Sequence, residues 1–279
     1  MAERTTNLTK VSFAALAAEP LFRLGHFTVT NSLLNAWIAV GIFVVFAFIA
    51  SRRKSIVPHG IHNAIEALFE GMLGEVQKVT GDRKRAMAFF PIFATLFLYI
   101  LVNNWMGLIP GTGTIGLSGE EFIPLFRPAA ADLNFTLAIA VFSVVLVQLV
   151  GIRATGFMNY VSKFINIRGI IWAIPKGPMA IVIAIIEFFV GLIEIVSEVA
   201  KVVSLSLRLF GNVFAGEILI SVMLSLFAFI LPVPFMFLEV LVGLIQATVF
   251  AMLVLVFLTV ATDSHGHDDG AEHGIEPSH

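Results

Sequence analysis

The chain has 279 residues, of which 58% are hydrophobic and only 13% charged, with 27 Phe and a net charge of −2. Soluble domains carry about 25% charged residues, so this balance excludes an ordinary water-soluble domain and points to lipid as the solvent. No basic cluster with interleaved aromatics occurs, so nucleic acid is not an expected partner, and 0 Cys excludes disulfides, thiol nucleophiles and thiolate metal sites.

Residues 1–30 mix charges with short apolar runs and lack a compact apolar core before a small-residue cleavage site. No cleavable signal is expected there, and the first span serves as the insertion signal. A helix needs roughly 20 apolar residues to cross a hydrocarbon core of about 30 Å. Residues 33–50 meet that need and end in Arg52, Arg53 and Lys54. Residues 61–79 differ, because Ile61, Ile65, Leu68, Met72 and Val76 recur at helical spacing between Glu66, Glu70, Glu75 and Lys78. That pattern predicts an amphipathic surface helix. Arg83, Lys84 and Arg85 then precede a second span over 86–109, and a Gly- and Pro-rich, acidic loop follows to Asp132.

A third span covers 133–152 and ends in Arg153, before a connection carrying Lys163, Arg168 and Lys176. Residues 179–226 form a helical pattern too long for one perpendicular crossing, so it is expected to tilt or to run partly along the membrane. Pro232 and Pro234 break it, and a last span covers 235–261. The reading is an all-α membrane protein: five crossing helices, one amphipathic surface helix, and a long tilted helical hairpin at the C-terminal end. Residues 1–262 make a single polytopic domain, and 263–279 a polar, cytoplasmic, disordered tail. Its histidines, His265, His267, His273 and His279, read as solvated rather than metal-binding. The Lys/Arg bias places the basic connections in the cytoplasm, the acidic loop and the N-terminus outside, and the C-terminus inside.

Residues 187–217 carry charges where a membrane helix should have none. Each such charge costs between about 2.5 and 17 kcal/mol and is functional by default. Glu187, Glu194, Glu198, Lys201, Arg208 and Asn212 are 7, 4, 3, 7 and 4 residues apart, which places all of them on one helical stripe. Glu194 precedes Arg208 by roughly 21 Å along the axis, and Glu217 follows it by roughly 13 Å. In the last span Glu239 and Gln246 share a face. A cytoplasmic polar column and an outer polar cluster therefore flank a lone permanent cation, which suits a gated ion path.

Blander readings stand beside this one. Arg208 could belong to a structural ion pair, although Glu198 is ten residues away and cannot reach it within one helix. Glu187, Glu194 and Lys201 could snorkel to the interface, and Glu198–Lys201 fits an ordinary i, i+3 pair. Gly211/Ala215 and Gly243/Ala247 suit close helix packing better than ligand binding. A secondary transporter or channel with its own gated path is the rival function, but no internal repeat supports it. Nothing resembles a phosphate-binding loop.

The run Ser204-Leu205-Ser206-Leu207-Arg208-Leu209-Phe210-Gly211-Asn212-Val213-Phe214-Ala215-Gly216-Glu217 resembles the signature helix of subunit a of F-type ATP synthases, the stator of the membrane rotary motor. The last span with Gln246, the run Asn103–Pro110, and the run Arg127–Asn134 are similar to further landmarks of that family, so the resemblance covers nearly the whole chain. It implies that Arg208 is the essential arginine and that Asn212, Glu217, Glu239 and Gln246 line an outer aqueous half-channel. It places Glu194 and Ser197 in a cytoplasmic half-channel, with Glu198 on the same column. The implied partners are a ring of c subunits with membrane carboxylates, the peripheral-stalk b subunits, the soluble F1 head and the lipid bilayer. The resemblance implies proton transport for ATP synthesis, with no catalytic site, cofactor or metal on this chain, while the positive-inside loops and the absence of a transit-peptide pattern favour a bacterial inner membrane. Two departures stand out. Lys201 is followed by Val202 where the family often has Pro, and Glu239 stands where some relatives carry His. With Glu217 and Glu239 both acidic, their titrations should couple, and proton versus sodium stays open.

Overall fold

The computed structural model describes residues 20–25, 27–52, 61–109, 116–118, 122–124, 127–157, 160, 178–226 and 232–263. The connection carrying Lys163, Arg168 and Lys176 and the histidine tail lie outside these residues. Six helices make the body among the described residues: α1 (Asn31–Arg52), α2 (Ile61–Thr80), α3 (Arg83–Met106), α4 (Leu133–Thr155), α5 (Pro178–Leu226) and α6 (Pro232–Asp263). The all-α expectation needs one amendment. Two antiparallel hairpins accompany the helices, β1 (Pro20–Leu24) with β2 (Phe27–Thr30), and β3 (Gly116–Ser118) with β4 (Phe122–Pro124). The first turns at Gly25, whose φ of 63° suits a residue without Cβ.

Helix boundaries follow local chemistry. Asp82 caps α3 by accepting from the Arg85 backbone N–H at 3.2 Å, and Asp132 caps α4 by accepting from Asn134 at 3.0 Å. α4 stops at Gly156, φ 84°. α6 begins at Pro232, three residues before the expected Phe235, because a proline in the first turn lacks only a donor that has no intrahelical partner anyway.

Among the described residues, four helices are long and apolar enough to cross a membrane: α1, α3, α4 and α6. The chain is a multi-pass membrane protein. α5 is one continuous helix of 49 residues, roughly 73 Å at 1.5 Å per residue. The core is built on α6, where Phe250, Ala251, Val254, Leu255 and Leu258 are buried among residues of α3, α4 and α5. α2 is amphipathic as expected, burying Met72 and Val76 while Glu66, Glu70, Glu75 and Lys78 face outward. Phe142, Leu149, Val190 and Ile193 are exposed on the body's surface, as lipid-facing side chains are where hydrocarbon is the solvent.

Cross-helix contacts define two ends. Tyr99 of α3 meets Phe135 near the start of α4, and Asn104 of α3 meets Gly243 of α6. The end of α3, the starts of α4 and α6, and the second half of α5 thus share what we call the loop end. Arg83 and Arg153 mark the opposite, basic end.

Candidate functional site

Arg208 lies on α5 with its side chain exposed on the outer face of the helix pair, and Asn212 is exposed one turn further on. Among the described residues neither an ion pair nor a hydrogen bond engages Arg208. That face is open: a Cβ at Gly211 would meet nothing, and Ala215 is exposed. Among the described residues nothing packs closely on Gly211. Gly243/Ala247 behaves as expected. Ala247 is fully buried, and a Cβ at Gly243 would come within 3.2 Å of the Asn104 Cβ.

Toward the loop end the polar residues of α5 and α6 converge. The Asn212 amide donates to the Gln246 carbonyl at 2.7 Å. Gln246 is 3% exposed, and among the described residues its buried Nε2 has no hydrogen-bond partner. Glu239 reaches across to α5 so closely that a Cβ on Gly216 would stand 2.2 Å from its carboxyl carbon. Gly216 thereby makes room for that carboxyl against α5. Backbone anchors hold α6 in this register: Trp105 Nε1 donates to the Val240 carbonyl at 3.1 Å, and Asn104 Nδ2 to the Gly243 carbonyl at 3.2 Å.

Glu217 also receives a partner that sequence reasoning missed. Arg127, from the segment before α4, donates from Nε and Nη2 to Glu217 Oε2, both at 3.3 Å. The signal was present in the sequence as a lone arginine in an acidic loop, against the expected charge bias.

The basic end is built differently. Lys201 pairs with Glu198 at 2.6 Å, the ordinary i, i+3 arrangement, and its ammonium lies 4.9 Å from the centre of the Phe257 ring. Glu194 and Glu198 are half-buried, whereas Glu187 and Ser197 are exposed. Beyond the end of α4, Tyr160 folds back so that its ring lies over Gly151 and its hydroxyl donates to Gln148. Its phenol is pushed up to about 12, first by burial and then by the negative charges of Glu198 and Glu194. Those two carboxylates therefore face the turn after α4.

The arrangement is polar groups at two depths, with an exposed arginine between them on a lipid-facing surface. The ATP synthase A chain family matches residues 33–259. The chain belongs to that family. Its ATP synthase relatives include subunit a of Moorella thermoacetica, 32% identical over 247 residues, covering 88% of this chain and 96% of the relative. Subunit a of Campylobacter jejuni is 34% identical over 221 residues, covering 79% and 85%. Subunit a of Trichlorobacter lovleyi is 32% identical over 228 residues, covering 82% and 85%. The match to the ATP synthase A chain runs from α1 through most of α6 and includes Glu194, Ser197, Glu198, Arg208, Asn212, Glu217, Glu239 and Gln246.

Proposed function

We propose that this chain is the stator subunit of an ATP synthase membrane motor, carrying two offset aqueous half-channels that pass protons to and from a rotating c-ring. The observation that carries the reading is Arg208, a permanent cation exposed on an apolar helix surface with no counter-charge among the described residues. A guanidinium stays charged at any accessible pH, so in lipid it calls for a carboxylate from another subunit.

The chemistry follows from the price of charge in hydrocarbon. A protonated ring carboxyl is neutral and crosses lipid; a carboxylate does not. A carboxyl reaching the Glu194/Ser197/Glu198 side releases its proton toward the cytoplasm. It then passes Arg208 as a carboxylate and is reprotonated on the Asn212/Glu217/Glu239/Gln246 side. Arg208 repels protons attempting the direct route between the two. Each proton moving down 100 mV contributes about 2.3 kcal/mol toward rotation, and the torque acts on an F1 head held by b subunits. In this reading α5 is the fifth crossing, strongly tilted against the ring, with the N-terminus outside and the C-terminus in the cytoplasm of a bacterial cell.

The test is proton flux and ATP synthesis in membrane vesicles carrying the whole complex. Arg208→Ala is expected to abolish synthesis and permit passive leak. Arg208→Lys should also fail, because a buried lysine can shed its proton. Normal coupling in either variant overturns the assignment.

A further inference from the structure

Four buried amides at the loop end carry polar atoms that no described residue engages. Asn35 of α1, Asn103 and Asn104 of α3 and Gln246 of α6 are each at most 5% exposed. Among the described residues, both side-chain polar atoms of Asn35, Oδ1 of Asn103, Oδ1 of Asn104 and Nε2 of Gln246 have no hydrogen-bond partner. The equally buried Thr136 and Ser206, by contrast, bond to each other at 3.3 Å. An unpartnered amide is costly in an interior surrounded by hydrocarbon, where bulk water cannot repair the loss. Ordered water is what meets such groups in folded proteins.

The four amides lie next to one another in pairs. Asn104 Nδ2 donates to the Gly243 carbonyl at 3.2 Å, and Gln246 follows Gly243 by three residues on α6. Gln246 therefore stands on the same face one turn away, roughly 5 Å along the axis. An acceptor, Asn104 Oδ1, and a donor, Gln246 Nε2, are thus within reach of a water that bonds to both. The second pair is placed by the Phe43–Tyr99 ring contact, 6.3 Å between centroids, which joins α1 to α3. Asn35 lies eight residues before Phe43, on the stripe of the fully buried Ala39, and Asn103 lies four residues after Tyr99. The helices are antiparallel, so both steps run toward the loop end, roughly 12 and 6 Å along the axes. Asn35 and Asn103 are then about one turn apart, a gap that one or two waters span. Toward the start of α1 comes Ser32, bonded to Asp132 at 3.1 Å, and beyond Gln246 comes Asn212, bonded to it at 2.7 Å.

We propose that Asn35, Asn103, Asn104 and Gln246 hold a file of ordered waters that crosses the loop end from the start of α1 to Asn212 and feeds protons into the outer path from the α1 side. The inference rests on the stator reading, and it adds α1 and α3 to a path otherwise built from α5 and α6. Neutral amides suit this task. Each carries a donor and an acceptor, so it holds water without fixing the direction of its hydrogen bonds, and it has no charge to trap a passing proton. An apolar side chain in the same place would break the file. A purely structural role suits these residues poorly, because a leucine fills the space of an asparagine and leaves no polar atom unpaired.

The experiment measures ATP synthesis and proton flux in vesicles carrying the whole complex, beside the thermal unfolding midpoint of the purified complex. Asn35→Leu is expected to lower both rates about fivefold while the midpoint stays equal or rises, because an unpartnered amide has left the interior. Asn35→Ser keeps a donor and an acceptor and should retain more than half of the wild-type rate. Wild-type flux in Asn35→Leu overturns the inference. So does a flux loss accompanied by a lower midpoint, which marks damaged packing, and so does an equal loss in Asn35→Ser. If Asn35→Leu does not assemble, electron cryo-microscopy of the wild-type complex decides, at a resolution that shows ordered water elsewhere in this chain. Density for water about 2.7–3.2 Å from the Asn35 amide, and again between Asn104 and Gln246, supports the file, and its absence at either place overturns it. Arg208→Ala in the same vesicles separates the two claims. If it stays coupled the stator reading fails; if it uncouples while Asn35→Leu runs at the wild-type rate, only this inference fails.

Discussion

The two ends of the long helix α5 solve the problem of charge in lipid by different means. At the basic end, Glu198 and Lys201 neutralise each other within one turn, half-exposed, and the pair leans on Phe257. At the loop end, Glu217 is neutralised by Arg127, a residue 90 positions away in sequence and nearly buried. A local i, i+3 pair forms wherever the helix forms and contributes a few tenths of a kcal/mol. A buried pair assembled from distant segments depends on every packing contact between them, and breaking one side leaves an uncompensated charge. The difference teaches that the basic end is tolerant, whereas the loop end is a tuned constellation.

Arg208 belongs to neither end, and its removal should have the largest effect. Arg208→Ala is expected to lower ATP synthesis below detection in the vesicle assay while raising passive proton leak. A variant that kept coupling would erase the comparison, since the two polar regions would no longer need a divider. Gly216→Ala comes next. The added methyl claims the space of the Glu239 carboxyl, which must swing away from α5. Coupled proton flux should fall roughly tenfold, in keeping with the sensitivity of positioned groups to displacements near 1 Å. Wild-type flux in an assembled Gly216→Ala complex would show that the Glu239 position is incidental.

Asn212→Ala sharpens the contrast on a smaller scale. It strips Gln246 of its hydrogen-bond partner and leaves both ends of a buried amide unpaired, at a cost of about 1–3 kcal/mol. A lower thermal unfolding midpoint of the purified complex, together with a several-fold loss of flux, is expected. The smallest effect should come from Tyr160→Phe at the basic end. The Tyr160 phenol is raised from 10.0 to about 12, so the unfolded chain ionises first. Its contribution is intact below pH 10 and is lost as pH rises toward 12. Replacement by Phe should leave function near pH 7 little changed and flatten the loss of stability over that alkaline window. A profile identical to wild type would argue that Tyr160 does not sense Glu194 and Glu198.

Most of the helical framework was legible in sequence. Composition and run length located the long helices to within a few residues, and the 3.6-residue period separated the amphipathic helix α2 from them. The stripe from Glu187 to Asn212 was readable for the same reason, since phase along one helix is a local property. The hairpins at 20–30 and 116–124 were not, because short strands without sustained alternation carry little periodic signal. Nor was it visible that Gly211 and Ala215 would face outward while Gly243 and Ala247 packed inward, since both pairs have the same spacing.

The sequence by itself determined that this chain lives in lipid, where its helices begin and end, and that Arg208 is a permanent cation set between polar groups at two depths. Those properties depend on residue chemistry and on neighbours within a few turns. Only the tertiary structure decided which carboxylate Arg127 covers, that Gly216 yields its side-chain space to Glu239, and that Arg208 has no partner among the described residues. Each of those depends on bringing segments tens of residues apart to within about 3 Å, where Coulomb interactions and excluded volume act. No local pattern encodes that distance.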